Sequence, residues 1–338
     1  MLTKLLDFLV VRRKLLFRKG ATMVVTSSAG VETTLDLAEL AALDSIGAAD
    51  LAKIDGITNG TAAAGKALVL DADKKVGDLA QLNVLGLGAV ATNQALGSTA
   101  LDSNTTGARN VAVGIGALTA NTIGVDSVGV GHNALTAATT GTGNTAVGSA
   151  SGDALTTGVN NTAIGFGALG AAVSTTTNVA IGKDAMLVAT EGNGNVAIGA
   201  SAMDASTTST TNVAVGLDAL GATTTGSANV AVGSSAMAAT VSATNSVAIG
   251  KDALLVATAG DNNVVVGATA MNASTTSTNN VAIGFNAMGA TTTGSSNVAV
   301  GANAMAATVS ATQNTVVGKD AMLVATAGDR NNALGHGA

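Results

Sequence analysis

From residue 93 onward the apolar positions fall into one short phrase that returns every 17 residues. It runs polar residue, branched aliphatic, small residue, branched aliphatic, glycine, as in "NVAVG" at 212–216 and again at 229–233. The glycine keeps this interval unbroken from Gly97 to Gly335, fifteen times. Counted from that glycine, position −4 is Asn in thirteen copies, with Ser127 and Ser246 in the other two. Position −3 is Val in ten copies, −2 is Ala in twelve, and −1 is always Val, Ile or Leu. Such period-two alternation predicts a strand with branched residues on one face and Ala on the other, closed by a glycine turn. Asn110, Asn161, Asn212, Asn229 and Asn297 open the phrase, and Gly114, Gly165, Gly216, Gly233 and Gly301 close it. These are read as the residues that let the backbone turn tightly on every repeat.

The rest of the unit is as regular. Position +3 is Ala in all copies but one (Ser151), and +4 is Leu or Met in every copy that reaches it except Gly152. Seven of the nine methionines fall at +4. Leu replaces them freely and no His or Cys accompanies them, so they read as core filler and not as a soft-metal site. Position +8 is Thr in eleven copies and Val at Val173, Val241 and Val309. That exchange predicts a half-buried second strand, and Gly in nine of fourteen copies at +10 predicts a return turn. One such unit cannot bury its own apolar face, but a stack can. The expected class is therefore all-β: a parallel β-roll or solenoid of fifteen 17-residue coils over 93–338, roughly 70 Å long at about 4.8 Å per coil.

The pattern is different upstream. Residues 1–22 place apolar side chains at 2, 5, 6 and 9 on one helical face, with bases gathering after them. Lys4, Phe8, Arg12, Arg13, Lys14, Phe17, Arg18 and Lys19 are the expected contacts of a basic amphipathic docking helix or arm, too short to span a bilayer. Residues 23–92 hold a weaker repeat, "ELAALDSIG" at 39–47 returning as "DLAKIDGIT" at 50–58. They are expected to form a helical or mixed connector that aligns neighbouring chains.

Composition narrows the chemistry. The chain has no Cys, Pro, Trp or Tyr and only four Phe, which removes disulfides and thiolate metal sites. The net charge of −6 is uneven: residues 1–20 hold six bases against Asp7, and the remainder nine bases against twenty acids. An acidic body argues against nucleic acid as a partner. His132 and His336 lie twelve coils apart, and the nearest of Asp184, Asp218, Asp252 and Asp320 are two coils apart, roughly 10 Å. With two aromatic side chains in the array, Phe166 and Phe285, no sugar platform is expected either. No catalytic, cofactor or metal site is expected. A longer period is superimposed: "KDAMLVAT" at 183–190 returns at 251 and 319, placing Lys183, Lys251 and Lys319 on one side, four coils apart.

The "N-x-[AV]-[VI]-G-x-x-A-[LM]" unit resembles the head repeat of trimeric autotransporter adhesins, the YadA-like repeat. That resemblance implies a left-handed parallel β-roll with three identical chains side by side, and the small Ala at −2 is then expected where neighbouring rolls approach. Adhesins of that class begin with a cleavable signal and end in an aromatic-rich membrane barrel, whereas this sequence closes within a repeat at "NNALGHGA". The same repeat occurs in bacteriophage fibres, and "LDSIGAADLAKIDGITNGTAAAGKALVLDADKKVGDL" resembles segments of phage virion fibre proteins. The expectation is a homotrimeric virion fibre held to a capsid or tail protein by its N-terminus and presenting its shaft to a host-surface receptor. An anchorless bacterial adhesin and an ice-binding solenoid are the alternatives.

Overall fold

The computed structural model describes residues 23–26, 32–35, 92–307, 309–323 and 328–338. It comprises two units, Met1–Leu82 and Asn83–Ala338. In the first, β1 (Met23–Thr26) and β2 (Glu32–Leu35) pair antiparallel, with Met23 opposite Leu35 and Thr26 opposite Glu32. The docking helix expected over 1–22 and the repeats at 39–58 lie outside the described residues.

The second unit is a β-solenoid. Its single parallel sheet has fifteen strands in sequence order, from β3 (Gln94–Leu96) to β17 (Asn332–Leu334), and each strand is three residues long. Every strand residue pairs with the residue 17 further on: Val213 with Val230, Ala214 with Ala231, Val215 with Val232. No helix occurs among the described residues.

The alternation expected at −3 to −1 is present, but its faces are the reverse of the expectation. The Ala at −2 points inward and is fully buried from Ala180 to Ala248 in every coil, while the branched residues at −3 and −1 face out. The reason is room. The interior opposite this position is already filled by Ala at +3 and Leu or Met at +4, also buried. At Gly129, where the position lacks a side chain, an added Cβ would meet the Leu118 side chain and the Ala134 carbonyl at 3.3 Å. A methyl group is about all the roll admits at most levels, although Val265 and Val316 also fit. Small residues thus serve the inside of one chain and not an approach between chains.

Each coil is closed by a left-handed backbone at several places. The glycine at position 0 has φ between +130° and +142° in all fifteen copies. Its missing Cβ also leaves space for the next coil, since from Gly97 to Gly318 an added Cβ would stand 2.2–2.7 Å from the following glycine's carbonyl oxygen. Conformation and proximity both demand glycine here. Position +2 is left-handed as well, yet it holds Asp184, Ser201, Asp218, Ser235, Asn286 and Asn303 with φ of 52–57°. Short polar side chains are the non-glycine residues that adopt this region most readily.

The second strand expected around +8 does not form; among the described residues there is one strand per coil and a single isolated bridge, Val159 to Thr176. The hydrogen bonds explain why. Two or three consecutive amides converge on one acceptor: Thr105, Thr106 and Gly107 on the Thr122 carbonyl at 2.9, 3.1 and 3.2 Å, and Thr207 and Thr208 on the Thr224 carbonyl at 3.2 and 3.1 Å. A ladder needs alternating donors and acceptors along the chain, and consecutive donors aimed at one oxygen make a turn instead. The Thr hydroxyl adds a further bond to that carbonyl, as from Thr207 Oγ1 to the Thr224 oxygen at 3.0 Å. Val173, Val241 and Val309 replace it on the outside, 40–45% exposed, where only the extra hydroxyl bond is lost.

Candidate functional site

The ten Asn and Gly residues singled out from the sequence are all in the solenoid, and they act as a frame. The Asn at −4 is buried, and its side chain ties off its coil where the chain comes round to the next: Asn212 Nδ2 donates to the Gly226 carbonyl, 14 residues on, at 2.9 Å. Its Oδ1 accepts the amide of the next coil's Asn229, also at 2.9 Å. Asn110, Asn161, Asn229 and Asn297 make the same pair of bonds to their own coil and the next. The two exceptions keep the chain of bonds intact. Ser127 Oγ accepts the Asn144 amide at 3.3 Å, and Ser246 Oγ accepts the Asn263 amide at 3.1 Å. The sequence marked these asparagines as turn residues; their buried cross-bracing was not visible from spacing. Lys4, Phe8, Arg12, Arg13, Lys14, Phe17, Arg18 and Lys19 lie outside the described residues.

What remains for function is the outer surface. With Ala turned inward, Val, Ile, Leu and a few Thr line the sheet's outer face along its whole length, and Ile164, Ile198, Ile249 and Ile283 are 37–41% exposed. Beside this strip runs position +1, a rank where residue size and charge vary. Ile115, Phe166, Leu217 and Phe285 stand there 57–59% exposed. Lys183, Lys251 and Lys319 occupy the same rank, and each Nζ meets the carboxylate of the Asp that follows it, at 2.9 Å for Lys251–Asp252 and 3.4 Å for Lys319–Asp320.

The charged groups are dispersed. Arg109 forks onto Asp126 of the next coil at 2.5 and 2.6 Å, which holds that carboxyl below its usual range. Burial raises Asp153, Asp204 and Asp218, and the neighbouring carboxylates Asp218 and Asp184 push Asp204 further in the same direction. Among the described residues no group of three or more His, Asp or Glu is placed to hold a metal ion. His132 and His336 occupy position +1 on coils twelve apart. Compared with known proteins, the chain matches no family, no curated protein and no solved structure.

Proposed function

We propose that this chain is a structural fibre protein whose solenoid is a shaft of three identical copies packed through the outer face of the sheet. The observation that carries this reading is the uncovered strip of branched side chains at −3 and −1. Fifteen strands about 4.8 Å apart and three residues wide give a face of roughly 700 Å². The number three comes from the likeness to adhesin head repeats, and the virion setting from the fibre-like segment upstream of the array. In this reading the basic residues of 1–22 dock the fibre on a capsid or tail protein, and the shaft acts in host adsorption by reach and avidity, with no reaction catalysed.

Native mass spectrometry at low micromolar concentration tests the assembly. Three times the 32.2 kDa chain mass is expected, and a clean monomer would overturn it. Removing residues 1–20 is expected to abolish incorporation into phage particles while leaving the circular dichroism of the shaft unchanged. Truncated chains that still joined particles would end the docking role.

A further inference from the structure

Position +11 repeats with the four-coil period as Asn193, Asp261 and Asp329. All three are joined to the preceding coil in the same way. The side-chain Oδ1 accepts the amide of the Thr 17 residues earlier: Asn193 from Thr176 at 2.6 Å, Asp261 from Thr244 at 2.7 Å and Asp329 from Thr312 at 2.8 Å. The amide of the next residue donates back to the carbonyl of that Thr, from Gly194, Asn262 and Arg330 at 3.1, 3.0 and 3.0 Å. The first of the three differs in its side chain and in its neighbour. Asn193 is the one asparagine among the described residues that a glycine follows, and both residues are exposed. Beyond its chain neighbours, a Cβ built on Gly194 would meet only the Thr211 methyl, at 3.6 Å.

We propose that Asn193–Gly194 is a self-modification site, at which the folded coil turns the asparagine into aspartate. The Gly194 nitrogen attacks Asn193 Cγ and gives up its proton to solvent hydroxide. The N–Cγ bond forms, the Cγ–Nδ2 bond breaks, and ammonia leaves with a proton from water. Water then opens the five-membered imide. Entry at Cγ gives aspartate, and entry at the Asn193 main-chain carbonyl gives isoaspartate. Thr176 serves both steps. Its N–H already donates to the Oδ1 on which negative charge develops, the arrangement that stabilises a tetrahedral intermediate. Its carbonyl holds the attacking nitrogen on the same side of the chain, which orients the reacting groups in advance. In the imide the same N–H polarises Cγ and directs water there. Aspartate keeps the Oδ1 bond, as Asp261 and Asp329 do, whereas isoaspartate lengthens the backbone and puts the following coil out of phase. The other asparagines of the array precede residues with a Cβ, which crowds the ring. Conversion adds one negative charge and brings this position to aspartate at all three four-coil steps.

The full-length chain, folded and in guanidinium, is held in mildly alkaline buffer and then digested with trypsin. Peptide 184–251 carries Asn193 together with Asn195, Asn212, Asn229 and Asn245, which serve as internal references. Loss of the Asn193 amide is expected about tenfold faster in the folded chain than in guanidinium. It should run ahead of the four references, with aspartate exceeding isoaspartate. Equal or slower loss in the folded chain would mean that the two Thr176 bonds shield the site and would overturn the proposal, as would an excess of isoaspartate. Gly194→Ala is expected to keep the fold, since Ala228 holds the same rank at φ 59°, and to lose the conversion. Circular dichroism checks the first and the peptide map the second; a folded Ala chain converting as fast as the parent would count equally against the site. Asn193→Asp supplies the expected product and should keep the parent's urea midpoint. A lowered midpoint would show that the coil does not accept aspartate here, and would also overturn the proposal.

Discussion

At the scale of single residues, the glycines at positions 0 and +10 look alike in the sequence but are held for different reasons. Gly216 has φ +139° and no space for a Cβ, 2.5 Å from the Gly233 oxygen. Gly226 is equally close to the Ala243 oxygen, at 2.4 Å, but its φ is not left-handed, and Thr175, Ser209, Ala243, Ser277 and Ala311 occupy the same rank in other coils. Gly216→Ala is therefore expected to destabilise by roughly 1–3 kcal/mol from conformation alone, with the clash added. Gly226→Ala should cost less, and paired urea melts of the two variants check the order. Asn212 allows a second comparison. Asn212→Ala strands the Gly226 carbonyl and the Asn229 amide inside the coil, an expected loss of roughly 1–3 kcal/mol. Asn212→Ser should fall between, because Ser246 already makes both kinds of bond at 3.1 and 3.4 Å. If the Ser variant melted with the Ala variant, the cross-brace would not be the reason for Asn at this rank.

At the scale of the element, the period of the strand was legible and its facing was not. Alternation states that two faces exist; which one is inside depends on the width of the roll, set by the buried Leu or Met at +4, six residues along the coil from the inward Ala. Branched aliphatics ordinarily mark the buried side, and here they mark the outer one. The second strand failed for a related reason: Thr and Val at +8 look like strand residues, but the convergence of consecutive amides on one carbonyl is a property of backbone direction that propensity does not encode. The outward strip makes a direct prediction. Val213→Lys combined with Val215→Lys places charge on the outer face while Ala214 stays inside, so assembly should fall to monomer with the far-ultraviolet spectrum retained. Loss of the spectrum together with the mass would mean that the strip stabilises the coil itself. Asp204 gives a pH prediction on the turn side. Its carboxyl is raised by burial and by Asp218 and Asp184, so the folded state disfavours the charged form above the raised value. That penalty is present in full at neutral pH and is relieved as pH falls through the raised value toward the reference 3.8. Asp204→Asn should accordingly be more stable than the parent at neutral pH, with the difference shrinking toward about pH 4; urea midpoints at the two pH values test the sign.

At the scale of the whole array, each coil bonds chiefly to the one before and the one after, so stability is nearly a sum over neighbours. This makes the phase of the repeat, and not its length, the quantity that must be conserved. Removing residues 217–233 takes out 17 residues and joins Gly216 to Ser234, leaving every inward Ala, cross-bracing Asn and position-0 Gly in place. Removing 234–301 takes out 68 and joins Gly233 to Ala302 with the same result. Both shortened chains are expected to keep the parent's circular dichroism per residue. Removing eight residues, 217–224, shifts the phase, sends polar turn residues into the strand register and should unfold the adjoining coils.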